Sequence, residues 1–255
     1  METVGNVRAE EILDALDNEQ RAVALASRGP VCVIAGAGTG KTRAITHRIA
    51  YAAAIGTMDP HKVLALTFTA RAAGEMRARL RSLGVPSVAA RTIHAAALKQ
   101  LTFFWPQVFG GRTPDLITTK SSFLAEAIKR AQLQGELSIA SRDLLRDIAT
   151  EIEWAKVSQI APSDYLAESV KRTVKPRINP EQLAKVYTAY ESVKHQERAI
   201  DFEDVLLLTT AMIEQEREVR ERVQDQYRFF TVDEYQDVSP LQQRLLNAWL
   251  GNRQE

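Results

Sequence analysis

A chain of 255 residues, 45% of them hydrophobic, is long enough for one large or two modest domains with real cores and needs no staple to fold. Its 33 Lys and Arg stand against 32 Asp and Glu, which excludes a global basic surplus, so any nucleic-acid site must be local. The single cysteine excludes an internal disulfide and makes a reducing compartment the natural setting. No apolar run approaches the ~20 residues of a membrane span, and Met1 to Glu11 lacks the basic and apolar regions of a signal peptide, so the expectation is a soluble cytoplasmic protein with no membrane partner.

In chain order, Val31 to Ala35 reads as a buried apolar strand, with Cys32 packed inside it, followed by a glycine-rich turn and a helix-period segment over 41–54. The turn ends in Gly40-Lys41-Thr42, a nucleoside triphosphate cradle, so ATP or GTP is the first ligand to consider. Its glycines let successive backbone N–H groups converge on phosphate oxygens, and the helix behind adds the positive end of its dipole. Lys41 can reach the β and γ phosphates, and the hydroxyl of Thr42 can bind Mg²⁺. Ala35 stands where the strict pattern has glycine, so the relaxed form is met; the alternative is an ordinary strand-to-helix turn.

A second apolar run, Val63 to Phe68, precedes a helix-period segment over 70–82, and repeated strand-then-helix order implies a parallel sheet. From about 95 to 200 the pattern is mostly helical. Leu144, Leu145, Ile148 and Ile152 share one face; Leu183, Val186, Tyr187, Tyr190 and Val193 share another, in a helix begun by Asn179 as N-cap and Pro180. Pro106, Gly110, Gly111, Pro114, Pro162 and Pro176 punctuate the loops. Lys171, Arg172, Lys175 and Arg177 form a basic loop, either solvated or touching nucleic-acid phosphates.

A third apolar run, Arg228 to Val232, ends in Asp233-Glu234. Ligands of parallel sheets collect at the carboxyl ends of strands, where Lys41, Thr69 and Asp233 would all sit. Asp233 would hold Mg²⁺, directly or through water, and Glu234 would orient and deprotonate an attacking water. A strand ending in a polar turn is the alternative. The expected class is α/β, a parallel P-loop NTPase sheet with an inserted helical subdomain: 1–94 and 201–255 build the sheet domain, and 95–200 the insertion.

Asp233-Glu234-Tyr235-Gln236-Asp237 resembles the signature of superfamily 1A DNA helicases of the UvrD/Rep/PcrA type, and the resemblance runs from about residue 16 to 247. Ala35 to Tyr51 is similar to the family's phosphate loop and following helix, Leu64 to Met76 to its second motif, Thr92-Ile93-His94 to the short one after it, and Asp201 to Leu206 to the acidic motif before the Asp-Glu strand. Val238 to Gln242 resembles the actinobacterial UvrD-like subgroup.

The resemblance implies a RecA-like sheet in which Ala35, Gly36, Ala37, Gly38, Thr39, Gly40, Lys41 and Thr42 hold ATP. It implies that Gln20 hydrogen-bonds the adenine edge, and that Arg43 stacks on the adenine face. Leu16-Asp17 stands where the family has Leu-Asn, and its Ala-Val pair is displaced to Ala22-Val23. Phe68 would stack on a base of single-stranded DNA, the alternative being a core role. Thr67, Thr69 and His94 would contact phosphates or the adjoining strand; Ala70-Arg71 replaces the family's Asn-Lys, leaving Arg71 to neutralise a phosphate.

What the resemblance implies as a whole is the N-terminal part of a Mg²⁺- and ATP-dependent 3′–5′ DNA helicase acting in repair or recombination. Its partners would be single-stranded DNA, single/double-strand junctions and a second RecA-like domain. That domain's motifs do not appear in these residues, so the expectation is half of a motor, poorly active alone. The rival readings are a nucleotide-dependent single-stranded DNA-binding module without motor activity, and a structural or partner-binding remnant that binds neither ligand.

Overall fold

A computed structural model describes residues 9–36, 38–137, 141–173 and 176–253. Ala37 of the phosphate loop and Lys175 of the basic loop lie outside the described residues. The elements in chain order are α1 (described over 9–14), α2 Asn18–Leu25, α3 Lys41–Ala54, β1 Val63–Thr67, α4 Ala70–Ser82, β2 Ala89–Thr92, α5 Ile93–Val108, β3 Asp115–Leu116, α6 Ser121–Arg130, α7 Arg142–Val157, α8 Tyr165–Ser169, α9 Pro180–Gln196, β4 Ala199–Ile200, α10 Phe202–Gln215, α11 Arg217–Gln226, β5 Phe229–Val232 and α12 Pro240–Leu250. They form two compact units. One comprises the described chain up to Ala96, Met212–Val238 and the stretch from Leu246 onward; the other comprises Ala97–Ala211 and Ser239–Leu245.

The first unit holds a parallel three-stranded sheet in the order β2-β1-β5. The middle strand reads Val-Leu-Ala-Leu-Thr and every residue in it is buried, as expected when both faces of a parallel sheet are covered. Alternation assigns the faces. Val63 and Ala65 join Ile49, Met76 and Leu80 of α3 and α4 in one core, with Phe229 packed against it. Leu64 and Leu66 point the other way, the face of Phe230, whose ring stacks on Trp249 at 6.3 Å between centroids. α4 begins where Thr69 Oγ1 accepts the N–H of Ala72 at 3.1 Å, the hydroxyl N-cap that fixes the turn after β1.

The run 31–36 departs from expectation. It forms no strand; Ile34 is 95% exposed, and Cys32 is exposed rather than packed. An apolar run becomes a strand only where a neighbour supplies the ladder. In the order β2-β1-β5 only the outer edges of β2 and β5 remain for a further strand, and among the described residues neither pairs with 31–36. Arg48 of α3 ties down the segment just before it, donating to Ala26 O at 2.8 Å and Gly29 O at 3.3 Å. Accordingly, a thiol reagent such as Ellman's is expected to modify Cys32 in the native protein as fast as in denaturant; protection until unfolding would show that the run is packed.

The second unit is helical. α6, α7, α8 and α9 share a core of Leu124, Ile128, Ile148, Ile152, Tyr165 and Tyr190. α9 starts as its sequence indicates: Asn179 Oδ1 accepts the N–H of Glu181 at 2.8 Å, with Pro180 in the first turn. Short parallel strands β3 and β4 pair Asp115 with Ala199 and Leu116 with Ile200. Pro106 proves to lie within the last turn of α5 rather than in a loop. Among the described residues, no helix is long and apolar enough to cross a membrane.

Candidate nucleotide site at the carboxyl edge of the sheet

Sheet register builds the site. Leu66 pairs with Arg91 on one side and Val232 on the other, and Thr67 pairs with Thr92. Asp233 continues the ladder, its N–H donating to Leu66 O at 2.9 Å. Thr92, Thr67 and Asp233 therefore lie along one carboxyl edge, where parallel sheets place their ligands.

The glycine loop is shaped by its own backbone. Gly38 and Gly40 have φ of 79° and 86°, in the left-handed region that side chains disfavour. At Gly40 the positive φ carries the requirement; a Cβ there would also come within 2.6 Å of Gln20 Nε2, the movable end of a flexible side chain. Thr39 Oγ1 donates to Gly36 O at 2.9 Å and closes the loop. Gly40 is also the N-cap of α3 and offers no side-chain acceptor, so the first N–H groups of that 14-residue helix stay available for an anion.

Lys41 Nζ donates to Ala35 O at 3.2 Å and Gly36 O at 3.5 Å, and lies 3.9 Å from Glu234 Oε1. Thr42 Oγ1 donates to Asp233 Oδ2 at 3.3 Å, joining positions 191 residues apart. Asp233 is buried at the strand end. Glu234 adopts left-handed backbone at φ 53°, unusual for a non-glycine residue; its carboxylate accepts the side-chain amide of Gln236 at 2.6 Å. The sequence placed Gln236 in the Asp-Glu signature but gave it no role, although its spacing of two from Glu234 inside a polar turn was the available signal.

Gln20 and Arg43 approach the loop from α2 and α3. Asp17 caps α2, accepting the N–H of Gln20 at 2.8 Å. The Gln20 side chain donates to Thr39 O at 3.2 Å. The Arg43 guanidinium donates to Ala15 O.

At the β1 end, Thr67 is buried and its hydroxyl donates to Thr69 O at 3.1 Å, bracing the turn instead of facing outward. Phe68 is half-buried and Thr69 exposed. Arg71 is exposed and paired with Glu75 at 3.0 Å. Burial lowers the pKa of His94, so at neutral pH it offers a hydrogen bond rather than a charge.

The basic loop is largely accounted for. Arg172 pairs with Glu151 and lies over the Trp154 ring, 4.2 Å from its centroid; Lys171 pairs with Glu168 at 2.6 Å and Arg177 with Asp147 at 3.9 Å. Arg172 is an internal brace, which removes it from the set expected to be solvated or to meet phosphates.

The acidic motif also turns inward. Asp201 accepts Lys156 at 2.7 Å and 2.8 Å, Lys194 at 3.0 Å and the Tyr190 hydroxyl at 3.2 Å. Asp204 takes both lysines too, and Glu191 pairs with each. Glu191, Asp201 and Asp204 are close enough to hold a metal ion, but the two ammoniums stand where that cation would be. Burial alone would raise the Asp201 carboxyl; Lys156 and Lys194 overcome this and hold it far below the usual carboxylate range.

A three-stranded parallel sheet with helices against it and a phosphate-type loop at its carboxyl edge defines an α/β domain of the RecA-like kind. Residues 16–255 match the family described as UvrD/REP helicase N-terminal domain, and the chain belongs to that family. It is 48% identical to the proteins named ATP-dependent DNA helicase UvrD2 of Mycobacterium bovis and Mycobacterium tuberculosis, over 98% of this chain and 37% of theirs. It is 32% identical to ATP-dependent DNA helicase PcrA of Leuconostoc citreum, over 93% of this chain and 31% of that protein. The chain thus spans about a third of the length of these relatives.

Proposed function

We propose that this chain is the ATP-binding part of a 3′–5′ DNA helicase that couples ATP hydrolysis to movement on single-stranded DNA, in repair or recombination. What supports the reading most is the Thr42–Asp233 hydrogen bond at 3.3 Å, with Lys41 3.9 Å from Glu234, because it joins the two halves of a phosphoryl-transfer site from opposite ends of the sequence. Gly36 to Thr42 would cradle the triphosphate, with Lys41 exchanging loop carbonyls for β- and γ-phosphate oxygens. The Thr42 hydroxyl and Asp233 carboxylate offer the hard oxygen donors that magnesium prefers. Bound there, the ion would neutralise phosphate charge. Glu234, steered by Gln236 and the left-handed turn, would orient water and accept its proton. Gln20 and Arg43 would meet the adenine. Phe68, Thr69, Arg71 and His94 would follow single-stranded DNA and its junctions, with Thr67 shaping the turn from beneath.

The relatives are about three times longer, and the charge-stabilising arginines and second motor domain are expected in the remaining length. The 255 residues alone would bind nucleotide but hydrolyse it poorly. In the intact helicase, Glu234→Gln is expected to lower kcat by about 10²–10⁴-fold while leaving ATP affinity within a factor of about three, as for loss of a general base. Steady-state turnover beside equilibrium nucleotide binding measures this, and equal losses in both would remove Glu234 from the role of base. A strand-displacement assay on the intact protein tests the wider reading. ATP-dependent 3′–5′ unwinding is expected; no unwinding, or only 5′–3′ unwinding, would overturn it.

A further inference from the structure

The phosphate loop is entered by a segment with little to hold it. None of residues 27–36 is buried, and among the described residues no strand pairs with 31–36. At the exit, Lys41 Nζ donates to Ala35 O and Gly36 O, Thr39 Oγ1 donates to Gly36 O, and Gln20 Nε2 donates to Thr39 O. At the entrance, Arg48 donates through Nε to Ala26 O at 2.8 Å and through Nη2 to Gly29 O at 3.3 Å. Gly29 has a φ of 72°, a backbone setting that side chains disfavour.

The two ends differ in what ATP does to them. On the proposed function, Lys41 leaves its carbonyls for phosphate oxygens and Gln20 leaves Thr39 O for the adenine, while Thr39 fastens the loop only to itself. Arg48 then remains, among the described residues, as the side chain that ties the loop's amino side to α3, the helix whose first residues are Lys41 and Thr42. A guanidinium suits the task, because its planar fork offers separate N–H groups to two carbonyls where an ammonium presents a single point. Ala26 is the C-cap of α2, so its carbonyl lies at the helix end whose unpaired C=O groups and negative dipole favour a cation. Among the described residues no carboxylate pairs with Arg48, and burial weighs against its charge with no acid to offset it. The two carbonyls are therefore its partners, not the by-product of an ion pair.

We infer that Arg48 is a positioning residue for nucleotide binding: by holding the carbonyls of Ala26 and Gly29, it keeps the amino side of the phosphate loop fixed on α3 while the contacts at the other side are exchanged for ATP. It touches no substrate itself. The inference rests on the reading of the glycine loop as an ATP site and adds a residue to which the sequence motifs gave no role. Untethered, the loop spends only part of its time in binding geometry, and apparent affinity falls by that fraction. The rival account is a helix-end contact that serves α2 alone.

The test is equilibrium binding of a fluorescent ATP analogue with Mg²⁺ to the 255-residue chain, for wild type, Arg48→Met, Arg48→Lys and Lys41→Ala. Binding is measured well below each melting temperature, so that lost affinity is not lost folded chain. Arg48→Met removes charge and fork together, whereas Arg48→Lys keeps the charge. Arg48→Met is expected to bind about tenfold more weakly and Arg48→Lys about threefold, as when the competent loop is populated roughly a tenth and a third of the time. Melting temperatures without nucleotide should stay close to wild type, because releasing a segment that has no buried residue exposes little surface. Wild-type affinity in Arg48→Lys would assign the effect to charge and overturn the tether; should Arg48→Met not fold, this variant alone decides. Wild-type affinity in both, with Lys41→Ala impaired, overturns the inference and leaves the proposed function standing, and a lowered melting temperature at that unchanged affinity would return Arg48 to support of α2. If the wild-type chain binds no nucleotide, both fall.

Discussion

On the proposed function, replacing Lys41 with alanine in the full-length protein is expected to lower ATP turnover by about 10²–10³-fold, the scale of losing one charged stabiliser of a developing phosphate charge, or ~3–4 kcal/mol. Nucleotide affinity should fall with it, because the same ammonium faces the ground-state triphosphate. The fold should not. Lys41 contributes two hydrogen bonds to its own loop, to Ala35 O and Gly36 O, and a pairing at 3.9 Å with Glu234, whose side chain is 42% exposed. Such contacts are worth little to stability, so a melting temperature within a few degrees of wild type is expected beside the lost turnover. Arginine at this position should rescue poorly, since a planar fork does not replace a compact ammonium between two phosphates. Turnover in Lys41→Ala within tenfold of wild type would place the chemistry elsewhere.

The largest effect on stability is expected at Asp201. Asp201→Asn removes the charge that faces Lys156 and Lys194, both 2% exposed, and leaves the two ammoniums with Asp204 and Glu191 alone. Breaking a buried ionic network by removing one partner costs about 3–5 kcal/mol, a fall in Tm on the order of 10 °C for a chain of this size. The pH dependence has a definite sign. With its folded pKa held down by the lysines, Asp201 contributes stability that is fully present above the unfolded carboxylate value of about 3.9 and is lost as pH falls below it. The variant should therefore be closest to wild type in strong acid and furthest from it at neutral pH. Thermal unfolding between pH 3 and 7 measures both; equal Tm at pH 7 would mean that the network is not load-sharing.

Much of the fold was legible because its signals are local. The 41–54 and 70–82 periodicities emerge as α3 and α4, the apolar runs at 63–68 and 228–232 as β1 and β5, and Asn179-Pro180 opens α9 as its capping chemistry requires. The run 31–36 was misread because its composition says that it can be a strand, whereas pairing depends on a neighbour that composition does not name. Arg172 looked like surface charge because neither Glu151, 21 residues away, nor the ring of Trp154 is adjacent in sequence. Lys156 and Lys194 did leave a trace. Each lies four residues after a buried apolar residue, Ile152 or Tyr190, so a charge was written onto the core side of its helix. A lysine there calls for a buried carboxylate, and Asp201 supplies it. In the candidate site the sequence named the glycine loop and the Asp-Glu pair as partners from residue types and order, and the structure brings Thr42 to Asp233 and Lys41 near Glu234. The support from Gln236 and the turn brace formed by Thr67 depend on backbone geometry that the sequence does not state.

Equilibrium binding of a fluorescent ATP analogue to the 255-residue chain, with Mg²⁺ and with EDTA, beside Lys41→Ala, is the most direct measurement. Saturable, Mg²⁺-dependent binding that disappears in Lys41→Ala is the expected result. No binding, or binding indifferent to Mg²⁺ and to Lys41, would contradict the assignment of the glycine loop and the Asp233-Glu234 turn as one nucleotide site.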